Sequence, residues 1–115
     1  MTGKRRVPLL GHGISFDLDG RCVVVDATAY QLDASDDGAV VSFTSSDAVT
    51  LTIPAGLDEG FSCVIVQSGD GVVTPTIDGT TLHSRGGFTG TAGQYAVCAL
   101  LCVAENVFIF AGDRA

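Results

Sequence analysis

The chain has 115 residues, 46% of them apolar and 17% charged, with no tryptophan and a formal net charge of −7. That length holds one domain, which excludes a cofactor domain paired with a substrate domain. The acidic balance argues against nucleic acid as the main partner, because phosphate recognition needs a face rich in lysine and arginine, and no apolar run approaches the ~18 residues of a membrane-spanning helix.

The charge is placed unevenly along the chain. Lys4, Arg5 and Arg6 are three of the six basic residues, so residues 1–13 carry +3, while residues 14–115, with three bases and thirteen acids, carry −10. We read residues 1–13, punctuated by Pro8, Gly11 and Gly13, as an extended N-terminal arm, and residues 14–115 as the folded domain. The apolar stretch Val7–Leu10 is shorter than the roughly 7–15 residues of a secretory h-region, so the expected product is soluble and first folded in a cytoplasm. In the arm, Lys4, Arg5 and Arg6 would pair with an acidic surface while Val7, Pro8, Leu9 and Leu10 add an apolar contact. The competing reading is a solvated terminal tail.

Beyond the arm, fifteen glycines and many Ser, Thr and Asp residues divide the chain into short apolar runs. Period-two alternation and β-branched content predict strands at 14–18, 21–26, 29–32, 39–44, 49–53, 61–67, 72–77, 81–83, 95–103 and 107–111. Turn signals separate them: Asp19-Gly20, Asp37-Gly38, Gly69-Asp70-Gly71, Asp78-Gly79, Gly86-Gly87 and Glu105-Asn106. In Val49–Val73 two such runs flank Pro54-Ala-Gly-Leu57, where Pro54, with no N–H to give a ladder, is expected to end the pairing. The last two runs read as a C-terminal hairpin. Ten short strands at this spacing predict an all-β, single-domain antiparallel β-sandwich or barrel, jelly-roll-like. No internal repeat pointing to a solenoid is read in the chain.

The chemical motifs are few. Phe16-Asp-Leu-Asp-Gly20 looks like the strand-end Asp-x-Asp-Gly of haloacid-dehalogenase-type phosphatases, which would make Asp17 the nucleophile and Asp19 the acid/base. Arg21 stands where that family has threonine, and no lysine follows downstream, so two strands joined at a turn is the preferred reading. Asp33-Ala-Ser-Asp-Asp37 could offer oxygens to calcium but lacks a bidentate glutamate at the right offset, so it is read as a solvated acidic turn. Cys22, Cys63, Cys98 and Cys102 form no C-x-x-C pair, and His12 and His83 add too few ligands for zinc; the four are read as small hydrophobes. No catalytic residue, metal or cofactor is assigned. Phe16, Phe43, Phe61, Phe108 and Phe110 are assigned to cores, leaving Tyr30, Phe88 and Tyr95 as candidate surface aromatics for a sugar.

From about Tyr30 to Asp113 the ordered set Tyr30-Gln-Leu-Asp33, Val41-Ser-Phe43, Leu51-Thr-Ile-Pro-Ala-Gly-Leu57, Gly60-Phe61, Val64-Ile-Val-Gln67, Gly71-Val-Val-Thr74, Gly79-Thr-Thr-Leu82, Thr91-Ala-Gly-Gln-Tyr-Ala96 and Val107-Phe-Ile-Phe-Ala-Gly-Asp113 resembles a β-structured module of tailed-bacteriophage virion proteins. The resemblance implies a virion building part, often trimeric, without catalytic residues. Lacking a repetitive or coiled-coil shaft, the chain looks more like a capsid decoration (cement) protein, partnered by the major capsid protein and by its own copies, than like a tail fibre. A receptor- or carbohydrate-binding head-fibre or tail-fibre component is the alternative.

Overall fold

The computed structural model describes residues 20–115 in full and, before them, the backbone of two strands, β1 (Arg5–Leu9) and β2 (Ile14–Leu18). Lys4, Leu10, His12 and Asp19 lie outside the described residues. β1 and β2 pair antiparallel in a sheet of their own, Arg5 opposite Leu18 and Leu9 opposite Ile14. The arm residues Arg5, Arg6, Val7, Pro8 and Leu9 are thus laddered to the first predicted strand of the domain.

Nine strands follow: β3 (Cys22–Val25), β4 (Ala29–Gln31), β5 (Val40–Phe43), β6 (Val49–Pro54), β7 (Ser62–Gln67), β8 (Val73–Asp78), β9 (Thr81–Ser84), β10 (Val97–Ala104) and β11 (Val107–Gly112). Each predicted strand is present, with bounds shifted by two residues at most. Pro54 ends the pairing as expected: it is the last residue of β6 and sits opposite Asp78, the last residue of β8.

The chain is mostly β, as expected, but the ladders correct the antiparallel jelly-roll. The large sheet has the order β3-β5-β7-β10-β11-β9 and the small one β4-β6-β8. β3, β5 and β7 run parallel to one another, and so do β4, β6 and β8. Three times in succession the chain lays one strand in the large sheet and the next in the small one, then returns one level along: a solenoid-like course. Alternation of apolar residues says which face of a strand is buried and nothing about the direction of its neighbour. Parallel neighbours need a return of a dozen or more residues, and here a strand of the opposite sheet makes that return.

The repeat can be read in the register. Val40 pairs Val64 and Val49 pairs Val73, both offset by 24, while the preceding step is shorter, Cys22 pairing Val40 at 18 and Ala29 pairing Thr50 at 21. The sequence carries it as Val49-Thr-Leu-Thr-Ile-Pro54 over Val73-Thr-Pro-Thr-Ile-Asp78, so the expectation of no internal repeat is also corrected.

The corners stack as well. Ser68 and Gly69 both donate N–H bonds to the Phe43 carbonyl, at 2.8 and 3.0 Å, and the Gly71 N–H donates to the Ser45 carbonyl at 3.0 Å. A Cβ on Gly69 or Gly71 would overlap the backbone of Thr44–Asp47. Gly69-Asp-Gly71 is therefore a corner lying on the corner beneath it, and the glycines are required by backbone approach rather than by a hairpin turn.

Between the sheets lies one apolar core. Val41, Phe43, Ile65, Leu100, Phe108 and Phe110 of the large sheet face Leu51, Ile53 and Val73 of the small one. Phe61 packs edge-on against Phe108 with ring centroids 6.3 Å apart. β10 and β11 form the expected hairpin, antiparallel, with a bulge between Cys102 and Ala104. Asn106 turns it at φ 55, and its Oδ1 accepts the Gly56 N–H at 3.0 Å. β10 also runs antiparallel to β7, so this hairpin ends the parallel stack.

At one end of the core a polar knot replaces hydrocarbon. Gln67, 1% exposed, donates through Nε2 to the Gly69 carbonyl at 3.1 Å and accepts the Thr91 hydroxyl on Oε1 at 2.5 Å. The Thr91 Oγ1 in turn accepts the Val73 N–H at 3.0 Å. Each of these buried groups has its partner, as burial demands.

Candidate interaction surface

In strands that alternate, one parity fills the core and the other faces away from it. Leu100, Cys102, Phe108 and Phe110 point inward, so Ala99, Leu101, Val103, Ile109 and Ala111 take the outer face of the large sheet. The register carries that face across neighbouring strands: Val40, Val64, Ala99 and Ala111 lie in one row, and Val24, Ser42, Val66 and Val97 in the next. Val64 and Ala99 form a second apolar cluster, separate from the core, flanked by Val40, Val66 and Leu101.

Towards its margins this face is open. Val24 is 66% exposed, Val97 43% and Val103 55%. The rows contain no aspartate, glutamate, lysine or arginine, although residues 20–115 hold eleven acids against three arginines, a net −8. Exposed apolar residues are common singly; rows that cross four to five strands of the large sheet of an acidic domain without a charge, buried at Val64 and Ala99 and open at Val24 and Val97, make a candidate contact surface.

Sequence reasoning placed no site here. The signal was present in Val97-Cys-Ala-Leu-Leu-Cys-Val-Ala104 and Ser62-Cys-Val-Ile-Val-Gln67, which are apolar at both parities. An unbroken run of that kind belongs to a strand covered on two sides, whereas the other face of β6 carries Thr50 and Thr52.

The motif residues take structural places. Asp33–Asp37 is a solvated turn only in part: Asp33, Ala34 and Ser35 are exposed, but Asp36 is 2% exposed and accepts the Tyr30 hydroxyl on both carboxylate oxygens, at 3.0 and 2.9 Å, and the Asp33 N–H at 2.9 Å. Asp33 caps the 3-10 turn at Ala34–Asp36, and the Ser35 hydroxyl and N–H that bond its carboxylate hold it below the usual range. Asp37 accepts the Ser62 N–H at 3.1 Å. Among the described residues, no group of three or more His, Cys, Asp or Glu side chains is placed to hold a metal ion.

Tyr30 is not a surface platform: it packs edge-on to Phe43 at 6.0 Å, and burial together with its bond to Asp36 pushes its pKa up to about 12. Cys63, Cys98 and Cys102 are buried, and burial raises all three thiols, Cys98 to about 11. Cys22 departs from that pattern, being exposed on β3.

Of the remaining candidates, Asp17 lies on β2, and His83 and Phe88 line a cleft of about 340 Å³ with Pro75, Leu82, Ser84 and Thr89. The guanidinium of Arg114 lies 5.3 Å from the Phe88 ring centroid and is held by the Ser84 hydroxyl at 2.7 Å and the Arg85 carbonyl at 2.8 Å. Among the described residues no helix is long and apolar enough to cross a membrane. Neither a scan against protein-family models nor a search of curated proteins finds a match to the chain.

Proposed function

We propose that the chain is a non-enzymatic capsid decoration protein of a tailed bacteriophage, a short β-solenoid that binds the outer surface of the head, contacts the major capsid protein and works as a homotrimer. The observation that carries this reading is the set of charge-free rows on the outer face of the large sheet, which suits a molecule whose task is to bury surface against protein. The resemblance of the motif order to phage virion modules supplies the setting. Such a protein stabilises a shell by mass action, because whatever binds the assembled state alone shifts the equilibrium toward it. Its acidic body stays soluble and keeps clear of packaged DNA. It is made in the host cytoplasm and ends on the virion, and Lys4, Arg5, Arg6, Val7, Pro8, Leu9 and Leu10 are the proposed anchor to the shell.

Co-sedimentation with shells of the phage that encodes it, using full-length protein and protein lacking residues 1–13, tests this reading. The full-length protein is expected in the pellet and the shortened one mostly in the supernatant. A full-length protein that ignores shells yet binds cell-surface glycan would favour the alternative, a receptor-binding fibre component. The cleft beside Phe88, His83 and Ser84 is where that alternative would place a sugar.

A further inference from the structure

We propose that Asp78-Gly79, at the corner between β8 and β9, is a site of spontaneous backbone isomerisation from aspartate to isoaspartate, and that the fold shuts the same reaction off at Asp37-Gly38 and Asp70-Gly71. This property belongs to the fold whatever the chain binds.

The reaction needs no partner but water. The Gly79 amide nitrogen attacks Cγ of the protonated Asp78 carboxyl; a C–N bond forms, the amide proton and the carboxyl hydroxyl leave together as water, and a five-membered succinimide results. Water then adds across one of its two carbonyl–nitrogen bonds. Opening at Cγ restores aspartate. Opening at the former main-chain carbonyl leaves the chain running through Cγ, one methylene longer, as isoaspartate. Glycine favours the attack because it has no Cβ to obstruct the approach, so the sequence offers the reaction at each Asp-Gly pair and the structure selects among them.

Attack requires an amide nitrogen free of hydrogen bonds and a side chain free to turn onto it. At Asp37-Gly38 both are held: Gly38 is buried, its N–H donates to the Ser62 carbonyl at 2.8 Å, and the Asp37 carboxylate accepts the Ser62 N–H at 3.1 Å. At Asp70-Gly71 the side chain is exposed but the nitrogen is engaged: Gly71 is buried, its N–H donates to the Ser45 carbonyl at 3.0 Å, and the backbone of the corner beneath lies against it. At Asp78-Gly79 both residues are exposed. Asp78 closes β8, an edge strand, and among the described residues neither its carboxylate nor the Gly79 N–H has a hydrogen-bond partner. A Cβ built on Gly79 would meet only the Ala55 Cβ, at 3.4 Å, so a ring has room to form. Each native bond that must open before attack slows it by about fivefold, and the two closed pairs also need a buried glycine uncovered by local unfolding.

The corner matters for β9. The buried Thr80 hydroxyl donates to the Ile53 carbonyl at 2.9 Å, and the Thr81 N–H donates to the Asn106 carbonyl at 2.8 Å, where the ladder with β11 begins. An extra methylene two residues before Thr80 displaces both anchors and loosens β9, whose Leu82, His83 and Ser84 line the cleft.

The test ages the full chain at neutral pH, folded and in urea, then digests it with a protease that cleaves before aspartate and spares isoaspartate, and counts uncut sites by mass spectrometry. In the folded chain Asp78 is expected to convert more than about tenfold faster than Asp37 or Asp70; in urea the three rates are expected to converge. Asp78→Glu, which would have to close a six-membered ring, is expected to lose the conversion and to fold as the wild type does, since residue 78 is exposed. By hydrogen exchange the Thr81 N–H is expected to lose protection in the aged wild type and to keep it in aged Asp78→Glu. Folded Asp37 or Asp70 converting as fast as Asp78, a folded Asp78 that stays intact while the urea sample converts, or an order of rates unchanged by urea would overturn the inference. Conversion at Asp78 with Thr81 still protected would overturn the effect on β9.

Discussion

Gly71→Ala separates stacked corners from ordinary hairpin turns. In the stacked arrangement a Cβ at residue 71 overlaps the carbonyl of Asp47 and comes within 3.0 Å of the Ser45 oxygen. These are backbone atoms of the corner beneath, so no rotamer change relieves the overlap. The two corners must part, losing the 3.0 Å bond from the Gly71 N–H to Ser45. Overpacking of this kind costs about 1–3 kcal/mol and a lost hydrogen bond about 1 kcal/mol, so the expected loss is about 2–4 kcal/mol. At roughly 4 °C per kcal/mol for a domain of this size, the melting temperature drops by about 8–16 °C. Gly93→Ala is the matched control: nothing lies within 4 Å of its Cβ and its φ is not positive. There the same methyl is expected to be neutral, or to stabilise by about 0.4–1 kcal/mol by restricting the unfolded chain. Urea unfolding of both variants measures the difference. Values for the two glycines within about 0.5 kcal/mol of each other, the ordinary scatter of surface substitutions, would refute the stacking.

Thr91→Val leaves the Val73 N–H and the Gln67 Oε1 unpartnered in a buried site, so a loss of about 1–3 kcal/mol is expected in urea midpoints at unchanged slope, with Thr91→Ser retaining most of the stability. Tyr30→Phe removes the bonds to the Asp36 carboxylate and is expected to cost about 1.5–3 kcal/mol near neutral pH. Its folded pKa of about 12 lies above the ordinary value near 10, so the folded state holds that proton more tightly; the contribution is whole below about pH 10 and is lost as pH rises toward 12. The gap between wild type and Tyr30→Phe is therefore expected to narrow over that window in pH-resolved unfolding. The raised Cys63 and Cys98 thiols act in the same direction, so stability should begin to fall at the ordinary thiol range. Phe88→Ala opens the cleft beside His83 and is expected to leave shell binding unchanged in the co-sedimentation assay, while abolishing glycan binding if the fibre alternative holds.

Strand positions were legible because period two is written into runs such as Val49–Ile53, and the C-terminal hairpin because Glu105-Asn106 breaks two apolar runs at a two-residue turn. The direction of the ladders was not. Val49-Thr-Leu and Val73-Thr-Pro alternate identically whether their strands run parallel or antiparallel, and only the 24-residue recurrence distinguishes the two. Asp-Gly and Gly-Asp-Gly sequences suggested hairpins, yet Gly69 and Gly71 are small because another backbone lies on them. Asp36 looked solvated because its partner, the Tyr30 hydroxyl, belongs to the preceding strand and reaches it only through the fold. The apolar outer face was half visible: β7 and β10 are apolar on both parities, but only the register shows that their outer residues join into one surface.

The proposed cementing role is tested most directly by calorimetry of expanded, DNA-free shells titrated with the full-length protein. The rupture temperature is expected to rise with protein concentration and to level off once the sites are filled, since binding to the assembled shell stabilises it by mass action. A rupture temperature that stays constant across the titration would contradict the cementing role.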